Sequence, residues 1–205
     1  MALDSYTDLQ ASVADWLNRE DLEDRIPDFI RLFEAKASRK IRTTDTLQRS
    51  NAVLSEGYFP VPLDWRETVA FMRLSVRPYP LEFVSAERSY ELRAQRRNGP
   101  ATHYTQLGRK FYLIPTPAEE IELELLYRAA IPALTPEEPH NWLLGRDPDL
   151  YLYGTLAEAE PYLKNDERVG LWIAKRDEIF EEMRLEAERA AYPQGALAVK
   201  KRTFG

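Results

Sequence analysis

Few side chains in this sequence could form a catalytic or metal-binding centre. The 205 residues include no cysteine and only two histidines, His103 and His140. Thiol catalysis and thiolate zinc sites are therefore excluded, and a site with several imidazole ligands cannot form. His103 falls in a predicted strand, where a packed or hydrogen-bonded histidine is more common than a catalytic base. His140 follows two glutamates in the segment PEEPHNW, which predicts an exposed loop residue and is only a weak metal signal.

The short motifs that position phosphates, metals or nucleophiles are also missing. The sequence contains no GxxxxGK[ST], GxGxxG, HExxH or GxSxG pattern. A glycosidase needs only two well-placed carboxylates, but the 34 acidic residues do not single out a pair. We therefore expect no enzyme active site, no cofactor and no bound metal.

Charge is unevenly distributed along the chain. The net charge is -6, and the excess of acid lies in residues 101–192. Residues 193–205 instead carry Lys200, Lys201 and Arg202 and no acid. An acidic body argues against general adhesion to DNA, and its simplest interpretation is a solvated surface. A basic tail on an acidic protein can reach an acidic partner or a neighbouring copy of the chain.

Apolar spacing predicts two helices at the N-terminus, over residues 6–17 and 26–41. Ser5 and Asp8 match a capping box, and Asp24 is the expected cap of the second helix, ahead of Pro27. The second helix has a basic face. Bases late in a helix complement its dipole, and this interpretation is as good as a binding patch. The basic residues are Arg31, Lys36, Arg39, Lys40 and Arg42.

The middle of the chain has the period of strands. Residues 47–54 and 58–61 predict a hairpin around Glu56-Gly57, and residues 69–76 favour a strand over a short helix. A second hairpin is predicted from 103–107 and 111–114, with its turn at Gly108-Arg109. Between them, residues 85–97 predict a short helix. Its arginines favour a solvated face over a nucleic-acid site, since no recognised nucleic-acid motif accompanies them: Arg88, Arg93, Arg96 and Arg97.

The clearest strand has one apolar and one acidic side. Ile121, Leu123, Leu125 and Tyr127 alternate with three glutamates, Glu120, Glu122 and Glu124. Such a face is usually a hydrated surface, and like charges also discourage association at a sheet edge.

Helices are predicted again towards the C-terminus, after a surface loop at 132–148. Asp147-Pro148 starts one helix, which Pro161 ends near Glu160, and a long helix runs from Asp166 to Ala191 with Trp172 on its apolar stripe. The predicted fold class is α+β: a helical N-terminal pair and long C-terminal helices around a small, mainly antiparallel sheet. We expect a single domain over 1–192 and an extended C-terminal arm over 193–205. No apolar run could cross a membrane.

Two separated segments resemble one family. Residues 6–45, YTDLQASVADWLNREDLEDRIPDFIRLFEAKASRKIRTTD, resemble the start of the head-to-tail adaptor (connector) proteins of tailed double-stranded-DNA bacteriophages. Residues 147–183, DPDLYLYGTLAEAEPYLKNDERVGLWIAKRDEIFEEM, are similar to the C-terminal helical pair of that family. The two patterns occur in the family's order.

This resemblance implies a structural virion protein without catalytic residues, made in the host cytoplasm and placed at the neck of the virion. Such adaptors commonly assemble as twelve copies into a ring between the portal protein and the tail or nozzle protein. The ring continues the DNA channel without binding DNA specifically. In related adaptors, a C-terminal extension often embraces the portal or a neighbouring subunit. The expected anchors in this chain are Lys200, Lys201, Arg202 and Phe204.

An acidic channel wall would repel the phosphates of passing DNA. We therefore expect part of the acidic surface of residues 101–192 to face the channel, with Glu120, Glu122 and Glu124 as candidates that could equally face outward. Two alternative functions stay open at this point. One is a tail-accessory protein with peptidoglycan-hydrolase activity, and the other is a small DNA-binding packaging factor.

Overall fold

The computed structural model describes residues 3–54, 57–95, 99–163 and 167–191, without the side chain of Glu20. The fold class is α+β, as predicted, with helices at both ends of the chain and two small sheets between them. The predicted arm at 193–205 lies outside the described residues. So do Glu56 of the predicted turn, and Arg96 and Arg97 of the predicted arginine helix.

The N-terminal helices are α1 (Tyr6–Leu17) and α2 (Ile26–Lys40), joined by a 3-10 turn at Glu20–Arg25. The predicted capping box at α1 is confirmed: the Ser5 hydroxyl accepts the Asp8 N–H at 3.2 Å and donates to the Asp8 carboxylate at 2.7 Å. The predicted Asp24 cap of α2 is wrong. Asp24 belongs to the 3-10 turn, which runs directly into α2, and the residue at the cap position is Arg25.

The strands form two four-stranded sheets. The first has the order β1-β8-β3-β4 and the second the order β2-β7-β6-β5. All neighbours are antiparallel except β5 and β6, so the prediction of mainly antiparallel pairing is confirmed. In chain order the strands are β1 (Leu47–Leu54), β2 (Tyr58–Pro60), β3 (Trp65–Leu74), β4 (Tyr79–Pro80), β5 (Glu82–Phe83), β6 (His103–Leu107), β7 (Lys110–Ile114) and β8 (Ile121–Ala129), with α3 (Ala86–Gln95) between β5 and β6.

The predicted hairpin of residues 47–54 and 58–61 is wrong, although both segments are strands. β1 pairs along its whole length with β8, from Leu47 opposite Arg128 to Leu54 opposite Ile121. β2 pairs with β7 in the other sheet. The distant strand β8 offers β1 eight partners, whereas β2 has only three residues to offer. The predicted hairpin of residues 103–107 and 111–114 is confirmed as the antiparallel pair β6–β7. The strand predicted over residues 69–76 is confirmed as part of β3.

The C-terminal helices are α4 (Trp142–Arg146), α5 (Pro148–Glu158) and α6 (Val169–Ala191). A 3-10 turn at Glu160–Tyr162 follows α5, so Pro161 ends that helix where predicted. The prediction of a surface loop over 132–148 is wrong in part, because α4 and the buried residues Leu134, Leu143 and Leu144 lie within it. These leucines are buried by helices distant in sequence, which local composition does not reveal.

Buried side chains form two clusters, which we call the helical core and the sheet core. The helical core joins α1, α2, α4, α5 and α6 around Phe33, Tyr151 and Trp172. Gly154 of α5 permits close approach there, since a Cβ at this position would lie 2.2 Å from the Phe33 ring. The sheet core lies between the two sheets and is rich in aromatic edge contacts, such as Phe71 against Tyr104 at 5.0 Å between ring centroids.

Polar contacts connect the two cores at the end of β8. The Arg128 guanidinium donates to the Thr43 carbonyl and to the Thr46 hydroxyl, each at 3.0 Å. Beyond the strand, the Ile131 N–H donates to the Ser38 hydroxyl of α2 at 3.0 Å. The chain therefore passes from the sheet core into the helical core with its backbone anchored on α2.

Candidate interaction surface

One side of the first sheet is open to solvent, and we call it the outer sheet face. The opposite side carries Phe71, Leu123 and Leu125, which are almost fully buried in the sheet core. Because side chains alternate along a strand, the outer sheet face carries the even-numbered residues of β8, from Glu122 to Arg128. The predicted alternation of a buried and an acidic side in β8 is thus confirmed. Because β8 lies between β1 and β3, its glutamates do not serve to discourage association at a sheet edge.

The glutamates at the start of β8 stand among apolar neighbours. Glu122 is exposed and lies between Val53 of β1 and Leu74 of β3. Val53 is itself 61 % exposed. Glu120 is also exposed and lies just before the strand begins. Within the described residues neither Glu120 nor Glu122 has an ion-pair partner, so both negative charges are free to attract a cationic group.

Glu124 differs from these two residues. It lies between Asn51 and Met72, is half-buried, and comes within 3.9 Å of the Arg49 guanidinium. Arg49 is mostly exposed, so this ion pair is worth well under about 1 kcal/mol in water. Glu122 and Glu124 therefore share one side of the sheet, with Glu120 just before the strand, but the three do not form a uniform acidic wall.

The middle of the outer sheet face is apolar as well. Leu126 lies opposite Ala70 of β3, and the β3 register shifts between Thr68 and Ala70 leave Val69 exposed. An antiparallel sheet with one solvated face normally carries polar residues there. Apolar side chains left open on a sheet point instead to a contact with another surface.

A groove of about 460 Å³ lies between the end of α2 and the end of α6. Its apolar lining comes from Ile41, Phe180, Met183 and Ala187, and Ala191 lies at its end. Arg42 borders the groove and reaches Glu67 of β3 at 3.2 Å. Glu67 lies opposite Arg128 in the sheet register, so this ion pair joins the groove to the helix-proximal end of the outer sheet face.

Two lysines of the basic face predicted for α2 pair with acidic residues of α5 and α6. Lys36 pairs with Glu158 of α5, and Lys40 reaches Asp177 of α6 at 3.5 Å. Arg176 is buried between the same acids, 3.7 Å from Glu158 and 3.0 Å from Asp177. The hydrogen bond from Arg176 lowers the pKa of Asp177. Lys36 and Lys40 therefore hold α2 against α5 and α6, whereas the basic residues of a nucleic-acid site would be free of acidic partners.

The described part of the arginine helix behaves similarly. Arg88 pairs with Glu91 one turn later at 2.5 Å, and the Arg93 guanidinium lies over the Tyr112 ring at 5.5 Å from its centroid. Tyr90 is 67 % exposed and projects from α3. Arg88 fits the predicted solvated face, whereas Arg93 is half-buried and its Nε is buried without a hydrogen-bond partner among the described residues.

The two histidines lie in different surroundings. His103 Nδ1 lies 2.8 Å from the Thr102 hydroxyl in the second sheet, and its Nε2 lies 3.6 Å from a Glu82 carboxylate. His140 is exposed, with Nδ1 2.7 Å from the Asp4 carbonyl. Among the described residues, no group of three or more His, Cys, Asp or Glu side chains could hold a metal ion. No helix in these parts of the chain is long and apolar enough to cross a membrane.

One buried acid was missed from the sequence. The Glu34 carboxylate accepts the Leu134 N–H at 2.9 Å and the Tyr151 hydroxyl at 3.0 Å. Burial raises the pKa of Glu34, and the two hydrogen bonds oppose that shift. The sequence did contain a sign of this burial, since Glu34 falls inside the apolar stripe of α2, between Ile30 and Ala37. This acid fixes the 131–134 segment and is structural.

The predicted arm residues Lys200, Lys201, Arg202 and Phe204 lie outside the described residues, so the geometry here comes from the body of the chain alone. A search among curated proteins found no match to the sequence. A family model described as SU10 adaptor protein matches residues 4–199, which includes both resembling segments and everything between them. That match covers nearly the whole chain, and the protein therefore belongs to the SU10 adaptor protein family.

Proposed function

We propose that this chain is the head-to-tail adaptor of a tailed bacteriophage, a structural virion protein at the neck of the particle. It forms a ring, of twelve copies as the sequence resemblance implies, between the portal protein and the tail or nozzle protein. The observation that carries the proposal is the family match over residues 4–199. Adaptors are a structural, non-enzymatic kind of protein, in keeping with a sequence that offers no recognisable catalytic motif.

The geometry supports a role in protein contacts. The outer sheet face leaves Val53 at 61 % and Val69 at 47 % exposure, beside the half-buried Met72, Leu74 and Leu126. A subunit that works by packing against other proteins needs such surfaces, because burial of apolar area drives association. We propose that residues 1–192 form one α+β domain that supplies these surfaces and that residues 193–205 act as an arm.

The arm is the proposed attachment to the portal or to a neighbouring subunit. Lys200, Lys201 and Arg202 give it three positive charges without an acid, and Phe204 gives it an aromatic side chain. A cationic, aromatic-tipped segment can combine charge attraction with burial of a ring in a partner pocket.

DNA passes through the proposed ring without specific binding. Part of the acidic surface of residues 101–192 faces the channel and repels phosphate, with Glu120, Glu122 and Glu124 as the candidate residues where that end of the outer sheet face stays uncovered in the ring. A reconstruction of the ring that places every acidic cluster on the outside would remove this electrostatic role and leave the adaptor proposal intact.

The decisive experiment mixes the purified chain with its portal protein and examines the product by electron microscopy. We expect a ring of this chain on the tail-facing side of the portal. A matched variant that ends at Pro193 should bind the portal less tightly than the full chain does. Intact particles without density for this chain at the neck would overturn the proposal.

Two assays test the other functions considered from the sequence. Lysis of cell walls by the purified chain, abolished by a single carboxylate substitution, would identify a hydrolase. Binding to duplex DNA that weakens steeply between 50 and 200 mM salt, by about 10³-fold or more, would identify a DNA-binding factor. We expect neither result.

A further inference from the structure

We propose that the C-terminal segment of this same chain, residues 192–205, lies along its own outer sheet face. In this arrangement Ala196–Val199 cover the apolar middle of the face, and Lys200–Arg202 reach Glu120 and Glu122 at its far end. The inference concerns the free subunit. It goes beyond the adaptor function and does not depend on it.

The place where α6 ends supports this path. Ala191 borders the apolar groove beside Arg42, and Arg42 contacts Glu67 on the outer sheet face. A second link lies close by, where Arg146 contacts both Asp45, two residues before β1, and Glu186 of α6, at 2.6 and 2.7 Å. The chain therefore leaves the helical core beside the end of the first sheet at which β1 begins.

The segment is long enough to follow the face. It contains fourteen residues, which reach up to about 46 Å at ~3.3 Å per residue. Lys200 lies nine residues after Ala191, a reach of about 30 Å, while β8 from Arg128 back to Glu122 spans about 20 Å. The difference, about 10 Å of extended chain, is available to cross from the groove at Ala191 to the first sheet.

The order of side chains in the segment matches the order on the face. Residues 196–199 are Ala-Leu-Ala-Val, followed directly by two lysines and an arginine. On the face, Ala70 and Leu126 lie nearer the helices than Glu122 and then Glu120. A segment running away from the helices can therefore place its apolar residues on Leu126 and its cations on Glu120 and Glu122. The carboxylate at the opposite end of the face, Glu67, already pairs with Arg42.

Tethering favours the chain's own face over that of another copy. A short linker holds an attached segment at an effective concentration on the order of mM, far above typical concentrations of a purified protein. Each exposed ion pair contributes little by itself, so the apolar contact and the tether must supply most of the docking.

The natural absence of cysteine permits a direct test by disulfide formation. Val53→Cys combined with Thr203→Cys places one thiol at the far end of the face and one beside the arm's basic residues. The matched control combines Thr203→Cys with Leu171→Cys, because Leu171 of α6 is 58 % exposed and Val53 is 61 % exposed. We expect the intramolecular disulfide of the test pair to form at least about tenfold faster than that of the control. Equal rates would overturn the proposal.

Charge reversal tests the orientation of the segment. Lys200→Glu with Lys201→Glu should lower the rate of the test pair by about two- to fivefold, and adding Glu120→Lys with Glu122→Lys should restore it. If the reversed arm closes at the original rate, the proposed pairing of the basic residues with these glutamates is wrong.

Disulfide-linked dimers that form in preference to the intramolecular product, at a rate rising with protein concentration, would show that the arm of another copy occupies the face and would overturn the proposal. All measurements use the full chain without a portal. Their failure would therefore leave the adaptor function untouched, and loss of portal binding would not affect them.

Discussion

The helical core and the sheet core bury their elements in different ways. Helix α5 is enclosed on almost every side: Leu150, Tyr151 and Leu156 are fully buried, and Gly154 lies against the Phe33 ring. Strand β8 is central in its sheet, yet it alternates between fully buried Leu123 or Leu125 and residues open to solvent. Helix α5 thus uses both of its sides for the fold, whereas β8 uses one, and an outer helix such as α6 keeps an exposed side.

This difference indicates where the chain can meet other molecules. A helix that is packed on all sides cannot expose one of them to a partner without leaving cavities in the core, and such cavities lower the free energy of unfolding. The outer sheet face can exchange water for a partner at no cost to the sheet core. Apolar residues such as Met72 and Leu74 on that face would gain free energy from the exchange. The inner helix α5 therefore supports the fold, and the outer sheet face is a surface available for contact.

The largest expected effect lies in the helical core, at Trp172 of α6, which is 2 % exposed. Trp172→Ala should lower the free energy of unfolding by about 3–5 kcal/mol, because it removes a large buried ring and leaves a cavity. Leu171→Ala is the matched control on the exposed side of the same helix, with an expected change within about 0.5 kcal/mol. Urea unfolding measures both. A mild effect of Trp172→Ala would indicate that this ring belongs to a subunit contact and would weaken the distinction between the two regions.

Adjacent residues of β8 test the two sides of the first sheet. Leu125→Ala should cost about 2–5 kcal/mol, because this side chain is fully buried in the sheet core. Leu126→Ala, on the half-buried outer side, should cost no more than about 1 kcal/mol. The comparison uses the free energy of unfolding of the two variants in the same buffer. Equal costs would mean that the outer sheet face is covered in the free subunit far more completely than we infer.

Glu34 tests a polar contact inside the helical core. Glu34→Ala should cost about 1–3 kcal/mol, since it removes the acceptor of the buried Leu134 N–H and of the Tyr151 hydroxyl. Glu34→Gln retains an acceptor oxygen and should be tolerated better, which makes it the matched control.

The pKa of Glu34 also predicts a pH dependence. Burial raises this pKa above its ordinary value of 4.5, so the folded state favours the protonated carboxyl. The stabilisation from proton binding is complete below the ordinary value and is lost as the pH rises through the raised value. Glu34→Gln does not titrate, so its stability relative to the natural chain should increase over that window. Urea unfolding at several pH values from about 4 upward checks this, and a constant difference would contradict it.

The smallest effect on stability is expected for the arm. Removing Gln194–Gly205 should change the free energy of unfolding by no more than about 0.5 kcal/mol, because a surface contact contributes little to a core. The same deletion should impair attachment to the portal or formation of the ring. Thermal unfolding of the isolated chain and binding to the portal measure the two effects separately. A large loss of melting temperature would place the arm in one of the cores.

Local patterns were enough to predict most elements of this protein. The apolar stripes of α1, α2 and α6 repeat at the helical period, and Ser5 and Pro161 mark helix ends through the chemistry of their own side chains and rings. Alternation in β8 predicted both its buried side and its side with Glu122 and Glu124. Periodicity records which side of an element is buried, and that information is local.

Pairing and burial across long separations could not be read in this way. The partner of β1 is β8, more than sixty residues away, and not the adjacent β2. Local composition assigns Leu143 and Leu144 to a polar surface loop, but α4 places them in the helical core. The apolar neighbours of Glu122 on the outer sheet face come from two other strands, so the open contact surface exists only once three strands are aligned.

The sequence by itself determined the fold class, the helices other than α4, the acidic side of β8 and the resemblance to adaptors, because each is written in neighbouring residues. Tertiary structure alone decided which strands pair, where Glu34 is buried, and that Val53, Glu122 and Leu74 lie side by side. The physical reason is that hydrogen-bond register and side-chain packing join residues far apart in the chain, and their energies depend on the whole arrangement rather than on any one segment.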